Sequence, residues 1–136
     1  MALQLSVAAR NGRLDAIETE AGASAILKIR TGAQPASCAT ADSGTVLATL
    51  NLPADYMAAA SGGTKAKSGT WEDTAADAAG DVPEHFRIYK SDGVTCVLQG
   101  SVTGTGGGGD MELNNPNIAV GQAVTITSFT LTDGNG

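Results

Sequence analysis

The sequence predicts an all-β domain of antiparallel strands with a short N-terminal helix or arm. Three observations predict it. Several runs alternate apolar and polar residues with a period of two, as strands do. The 18 glycines fall mostly between those runs and mark many turns. Strand-like and helix-like segments do not alternate, which argues against a parallel α/β sheet.

Leu3 to Glu20 is the one helical segment. Leu14, Ile17 and Ala21 recur at i, i+3 and i+7, with Asp15, Glu18 and Glu20 on the other face. Asn11-Gly12 interrupts it, because glycine costs about 1 kcal/mol in a helix interior. Either a short helix starts near Asn11 as its cap, or one weakened helix runs through. Gly22 closes it in both cases.

After Gly22 the period becomes two. Ala25, Leu27 and Ile29 alternate with Ile26, Lys28 and Arg30, a strand with a charged, exposed face at its end. The loop AQPASCATADSG follows. Val46, Ala48, Leu50 and Leu52 then alternate with Thr49 and Asn51 until Pro53 ends the strand. Residues 65–74 hold one or two edge strands around Trp71, blunted by lysines. Asp77 to Pro83 reads as loop.

Glu84 to Val102 is a hairpin. Phe86 and Ile88 alternate with Arg87 and Tyr89, Ser91-Asp92-Gly93 turns, and Val94, Cys96 and Leu98 return. A glycine-rich stretch, a short strand DMELN and a last strand VTITSFTLT complete the chain. In that strand Val124 and Ile126 share one parity, and Phe129 and Leu131 the other. A β-bulge near Ser128 would restore one face. The count is seven or eight strands. A two-sheet sandwich or jelly roll fits best, with a barrel second. The boundaries are 1–22 for the helical arm and 23–136 for the β-domain.

The charge is −6, so nucleic acid is not an expected direct partner. The basic residues are scattered along the chain. No apolar run reaches the roughly 20 residues of a membrane span. MALQLSVAARNGR lacks the apolar stretch of a signal peptide, so folding in the cytoplasm of the producing cell is expected. Cys38 and Cys96 are not a C-x-x-C pair. They read as reduced thiols, and a disulfide between them requires neighbouring strands.

Chemistry-bearing patterns are few. Gly104-x-Gly106-x-x-Gly109 matches G-x-G-x-x-G, yet it leads into a strand and no helix follows, so a flexible loop is expected in place of a phosphate site. His85 is the single histidine. Its neighbour Glu84 points to the opposite face of a strand, so a hydrogen-bonded structural histidine is expected. Glu72, Asp73, Asp77, Asp81 and Glu84 form an acidic stretch whose spacing does not match a calcium loop. A solvated loop is expected there, with a contact surface for a basic partner as the alternative. Trp71 reads as a core plug or as an exposed interface anchor. No catalytic residue, metal or cofactor is expected, and the chain is not expected to be an enzyme.

Three segments carry a resemblance: ARNGRLDAIETEAGASAILKIRTG, then HFRIYKSDG with QG shortly after, then GGGGDMELNN followed by GQAVTITSFTLT. Together they resemble small virion proteins of tailed bacteriophages and prophages, most nearly a capsid cement or decoration protein of jelly-roll type. The resemblance implies attachment of dimers or trimers to the outside of the head. The implied partners are the major capsid protein and further copies of the chain. Given the charge and the apolar pattern, no nucleic-acid or membrane contact is expected, and host cytoplasm is the expected site of assembly. Leu5, Arg10, Arg13 and Trp71 are the candidate interface residues. A tail, fibre or head–tail connector component and a carbohydrate-binding module are the alternatives.

Overall fold

The computed structural model describes residues 3–79 and 82–134. One helix, α1 (Val7–Ala21), precedes nine strands among these residues: β1 (Ile26–Arg30), β2 (Val46–Asn51), β3 (Thr64–Ala66), β4 (Trp71–Asp73), β5 (His85–Tyr89), β6 (Cys96–Gly104), β7 (Met111–Leu113), β8 (Val124–Ile126) and β9 (Thr130–Thr132). The fold is β-rich with one N-terminal helix.

The helix is continuous. Its cap is Ser6, whose hydroxyl accepts the Ala9 amide at 3.1 Å. Asn11 therefore does not start it. Asn11 lies inside the helix and accepts the Gly63 amide at 2.9 Å, a tertiary tie that offsets the weak Asn11-Gly12 step. Gly22 ends the helix at φ 76°, and its amide returns to the Glu18 carbonyl.

A five-stranded sheet runs in the order β2-β1-β5-β6-β7, and two ribbons pair β3 with β9 and β4 with β8. The β5–β6 hairpin forms, with a register shift between Ile88 and Tyr89, but its return strand starts at Cys96 and leaves Val94 exposed in the turn. The sheet is not wholly antiparallel, because β7 runs parallel to β6. Parallel neighbours usually need a crossover of a dozen or more residues. Here residues 105–110 suffice, since only three residues pair and the loop is tightly tied.

The last strand is not one bulged strand. It breaks at 127–129, and β8 joins β4 while β9 joins β3. Phe129 at the break turns into the core. Its ring lies 5.5 Å from Phe86 on the sheet and 5.6 Å from Trp71 on a ribbon. These contacts give sheet and ribbons one shared core with Leu27, Ile29, Leu50, Met111 and Ile126.

Every residue of β5 is buried. A central strand achieves this only when both faces are covered. The core covers Phe86 and Ile88. The loop over residues 31–45 covers the face bearing His85, Arg87 and Tyr89.

Candidate functional site

Two ion clusters hold four of the six salt bridges among the described residues. The first lies under α1. Lys65 was expected to blunt an edge in solvent, but it is 1% exposed. Its ammonium meets Asp15 Oδ1 and Glu18 Oε2, each at 2.7 Å, and donates to the Ala58 carbonyl at 2.9 Å. All three N–H donors are thus satisfied. Burial works against the Lys65 charge, yet the bonds to Asp15 and Glu18 prevail and raise its pKa. The Lys65 hydrogen bond, helped by the Ala60 amide, holds Asp15 below the usual carboxylate range. Asp15 and Glu18 therefore stand at the rim of the helix, partly in solvent and partly over Lys65.

The second cluster lies under the 31–45 loop. Lys28, Arg30, His85, Arg87 and Tyr89 share one sheet face, since Lys28 opposes Arg87 and Arg30 opposes His85 across β1 and β5. Arg30 was expected on an exposed face and is 7% exposed; Arg87 is 2% exposed. Asp42 accepts from Arg30 Nη2 at 2.9 Å, from Arg87 Nη1 at 2.7 Å and from the Tyr89 hydroxyl at 2.7 Å. Burial opposes its charge, but the bonds from Tyr89 and Arg87 and the two guanidinium charges hold Asp42 below the usual range. Burial, then the bond to Asp42, raises the Tyr89 phenol.

The same loop carries the correction on cysteine. Cys38 and Cys96 form a disulfide, with Cα atoms 5.2 Å apart. Cys38 is not on a strand. The loop folds back over the sheet and delivers it to β6. The Ser37 carbonyl accepts from Arg87 and the Pro35 carbonyl accepts from Gln99, at 3.0 and 2.7 Å.

Arg10 Nη1 donates to the Asp133 carbonyl, and Arg13 Nε pairs with the Asp133 carboxylate, both at 3.1 Å. Both candidate interface arginines therefore bind the chain's own C-terminal segment. Leu5 is half-buried just ahead of the helix. Trp71 is fully buried, which overturns the exposed-anchor reading. Its indole N–H donates to the Tyr56 and Ser68 carbonyls. The structure brings Arg10 and Arg13 together and leaves Trp71 apart in the core. Sequence reading missed the Lys28–Arg30–Arg87 group. Its signal was present: Lys28 and Arg30 have one parity, and so do Arg87 and Tyr89 on the partner strand.

Most of the remaining motifs are bonded within the chain, although His85 Nε2 is buried with no partner among the described residues. Glu112 accepts the Gly106 and Gly108 amides at 3.1 and 3.2 Å, so the amides a phosphate would seek are taken. The glycine loop is tied and not free. A Cβ on Gly107 would stand 2.6 Å from Thr103 Cβ, so glycine is needed where the loop returns. In the acidic stretch, Asp73 accepts the Thr49 amide and Asp77 accepts the Thr49 hydroxyl, at 2.9 and 2.6 Å. These carboxylates tie to the free edge of β2, while Glu72, Asp77 and Glu84 stay exposed to solvent as expected; Asp81 lies outside the described residues. His85 Nδ1 donates to the Gly32 carbonyl at 2.7 Å, the structural role expected of it. A groove of about 460 Å³ between Phe86, Leu98 and β9 has Asp110 as its titratable group, and Ser101 already donates to that carboxylate. Among the described residues no group of three or more His, Cys, Asp or Glu could hold a metal, and no helix is long and apolar enough to cross a membrane. Comparison with protein-family models, curated proteins and solved structures finds no match.

Proposed function

We propose that this chain is a structural virion protein, a cement or decoration protein bound to the outside of a tailed-phage capsid. The observation that supports this reading is where the charged side chains go. Lys65, Asp42, Glu112 and Asp73 each tie one segment to another, and they do not converge on a cleft. A body braced in this way suits a part that must bear load. The resemblance of the helix, hairpin and glycine-rich segments to small virion proteins supplies the specific assignment. In this reading the sheet and the two ribbons are the two layers of a jelly-roll sandwich. The chain binds the major capsid protein and further copies of itself as a dimer or trimer, assembles in host cytoplasm and ends on the virion surface. Repetition around the shell lets weak contacts suffice.

All five aromatics, Tyr56, Trp71, Phe86, Tyr89 and Phe129, are buried. No ring is left to stack on a sugar, so the carbohydrate-binding alternative loses its main support. The test is stoichiometry. Particles purified from the same gene cluster should carry this chain in numbers near those of the major capsid protein. Only a few copies per particle, or label confined to the tail, would overturn the proposal in favour of a tail or connector part.

A further inference from the structure

Lys28, Arg30 and Arg87 stand on one sheet face, and the register partners beside them are Thr49, His85 and Gln99. None of these is a carboxylate. The carboxylate that meets both guanidiniums, Asp42, arrives on the 31–45 loop. That loop has no strand or helix between residues 31 and 45. Its base is closed by the Thr31 amide on the Thr45 carbonyl and the Thr45 amide on the Thr31 hydroxyl. Its middle is held covalently by Cys38–Cys96.

Arg30 is not used to capacity. Asp42 takes Nη2 and the Gly44 carbonyl takes Nη1, while Nε is buried with no protein partner. A carboxylate binds guanidinium best in a fork across two N–H groups. Asp42 uses one N–H of Arg30, so a carboxylate approaching along the Nε–Nη2 edge would make the better pair.

We propose that Asp42 is a built-in occupant of a carboxylate-binding site, and that Cys38–Cys96 is its latch. Reduction releases residues 33–44, and an acidic peptide segment of a partner then displaces Asp42 from Arg30 and Arg87. The reason is effective concentration. A tether at both base and middle keeps Asp42 at its site, and loss of the middle tether lowers its local concentration against a competitor. Both cysteines are half-exposed, so a thiol can reach them. A dithiol attacks one sulfur and expels the other as thiolate; its second thiol then closes the reagent's own disulfide. Two electrons and two protons pass to the chain, leaving two cysteine thiols.

The probe is a fluorescein-labelled polyglutamate peptide at low salt, read by anisotropy. Wild-type protein in dithiothreitol should bind it at least about tenfold more tightly than oxidised protein. The C38S/C96S variant should bind without reductant, and adding Arg87→Gln should abolish binding. A polyglutamine probe should not bind. Hydrogen exchange of residues 33–44 should quicken on reduction. Equal binding by the two redox states, no binding by either, or unchanged exchange would overturn the proposal. If C38S/C96S fails to fold, wild-type protein with and without dithiol still decides.

Discussion

The helix side and the flap side of this molecule are held by ion clusters of opposite build. Under α1, one cation from β3 meets two carboxylates from the helix. Under the flap, one carboxylate from the loop meets two cations from the sheet. The helix satisfies its own backbone, carries its own caps and is docked through side chains from Arg10 to Glu20. The flap has no ladder, so ordering each residue costs roughly 1–2 kcal/mol without compensating backbone bonds. It is therefore fastened several times: by Asp42, by two carbonyls on Arg87 and Gln99, and by a disulfide. Both segments are tied down through side chains, but only the one without its own secondary structure adds a covalent stitch.

The largest test of this contrast is the covalent stitch. Replacing both Cys38 and Cys96 with serine should lower unfolding free energy by about 4 kcal/mol in the chain-entropy account, given their sequence separation of 58. Urea denaturation measures it, and a loss confined to a few tenths would show that the flap is held without the bond. Arg87→Ala should come next, at about 3 kcal/mol, because it strips Asp42, Gln99 and the Ser37 carbonyl of a buried partner. Lys65→Ala should cost less, about 2 kcal/mol, since Asp15 and Glu18 can still reach water. If Lys65→Ala proved costlier than Arg87→Ala, the helix would be the more dependent element.

A smaller effect is the pH dependence of the two sides. Asp42 is depressed below 3.8, so its contribution is present above that value and fades as pH falls through the lower native one. Lys65 is raised above 10.5, so its contribution is present below that value and fades as pH rises through the higher native one. Acid should therefore loosen the flap through Asp42 and, to a lesser degree, the helix through the more exposed Asp15; alkali should loosen the helix through Lys65 and the flap through the Tyr89 phenol that donates to Asp42. Hydrogen exchange of residues 33–44 at low pH and of α1 at high pH checks the assignment. Asp42→Asn should remove the flap's acid response and leave the helix's alkaline response unchanged.

Much of the secondary structure was legible because it follows from local periodicity. The hairpin around Ser91-Asp92-Gly93, the alternation of β1 and β2 and the Gly22 stop all read directly. Other features were misread, and each for the same reason. Lys65 and Arg30 look like solvent charges until Asp15, Glu18 and Asp42 are brought to them from 50, 47 and 12 residues away. The last strand looks continuous until two different partners, β3 and β4, claim its halves.

The sequence by itself determined the β-rich class, the single helix and the turn positions, since these depend on neighbours within a few residues. Only the tertiary structure decided that scattered bases form a cationic face, that Cys38 meets Cys96, and that Trp71 is core and not interface. Those outcomes depend on which distant segments share a surface. Burial then makes pairing obligatory, because an unpaired charge away from water costs more than any local preference can supply.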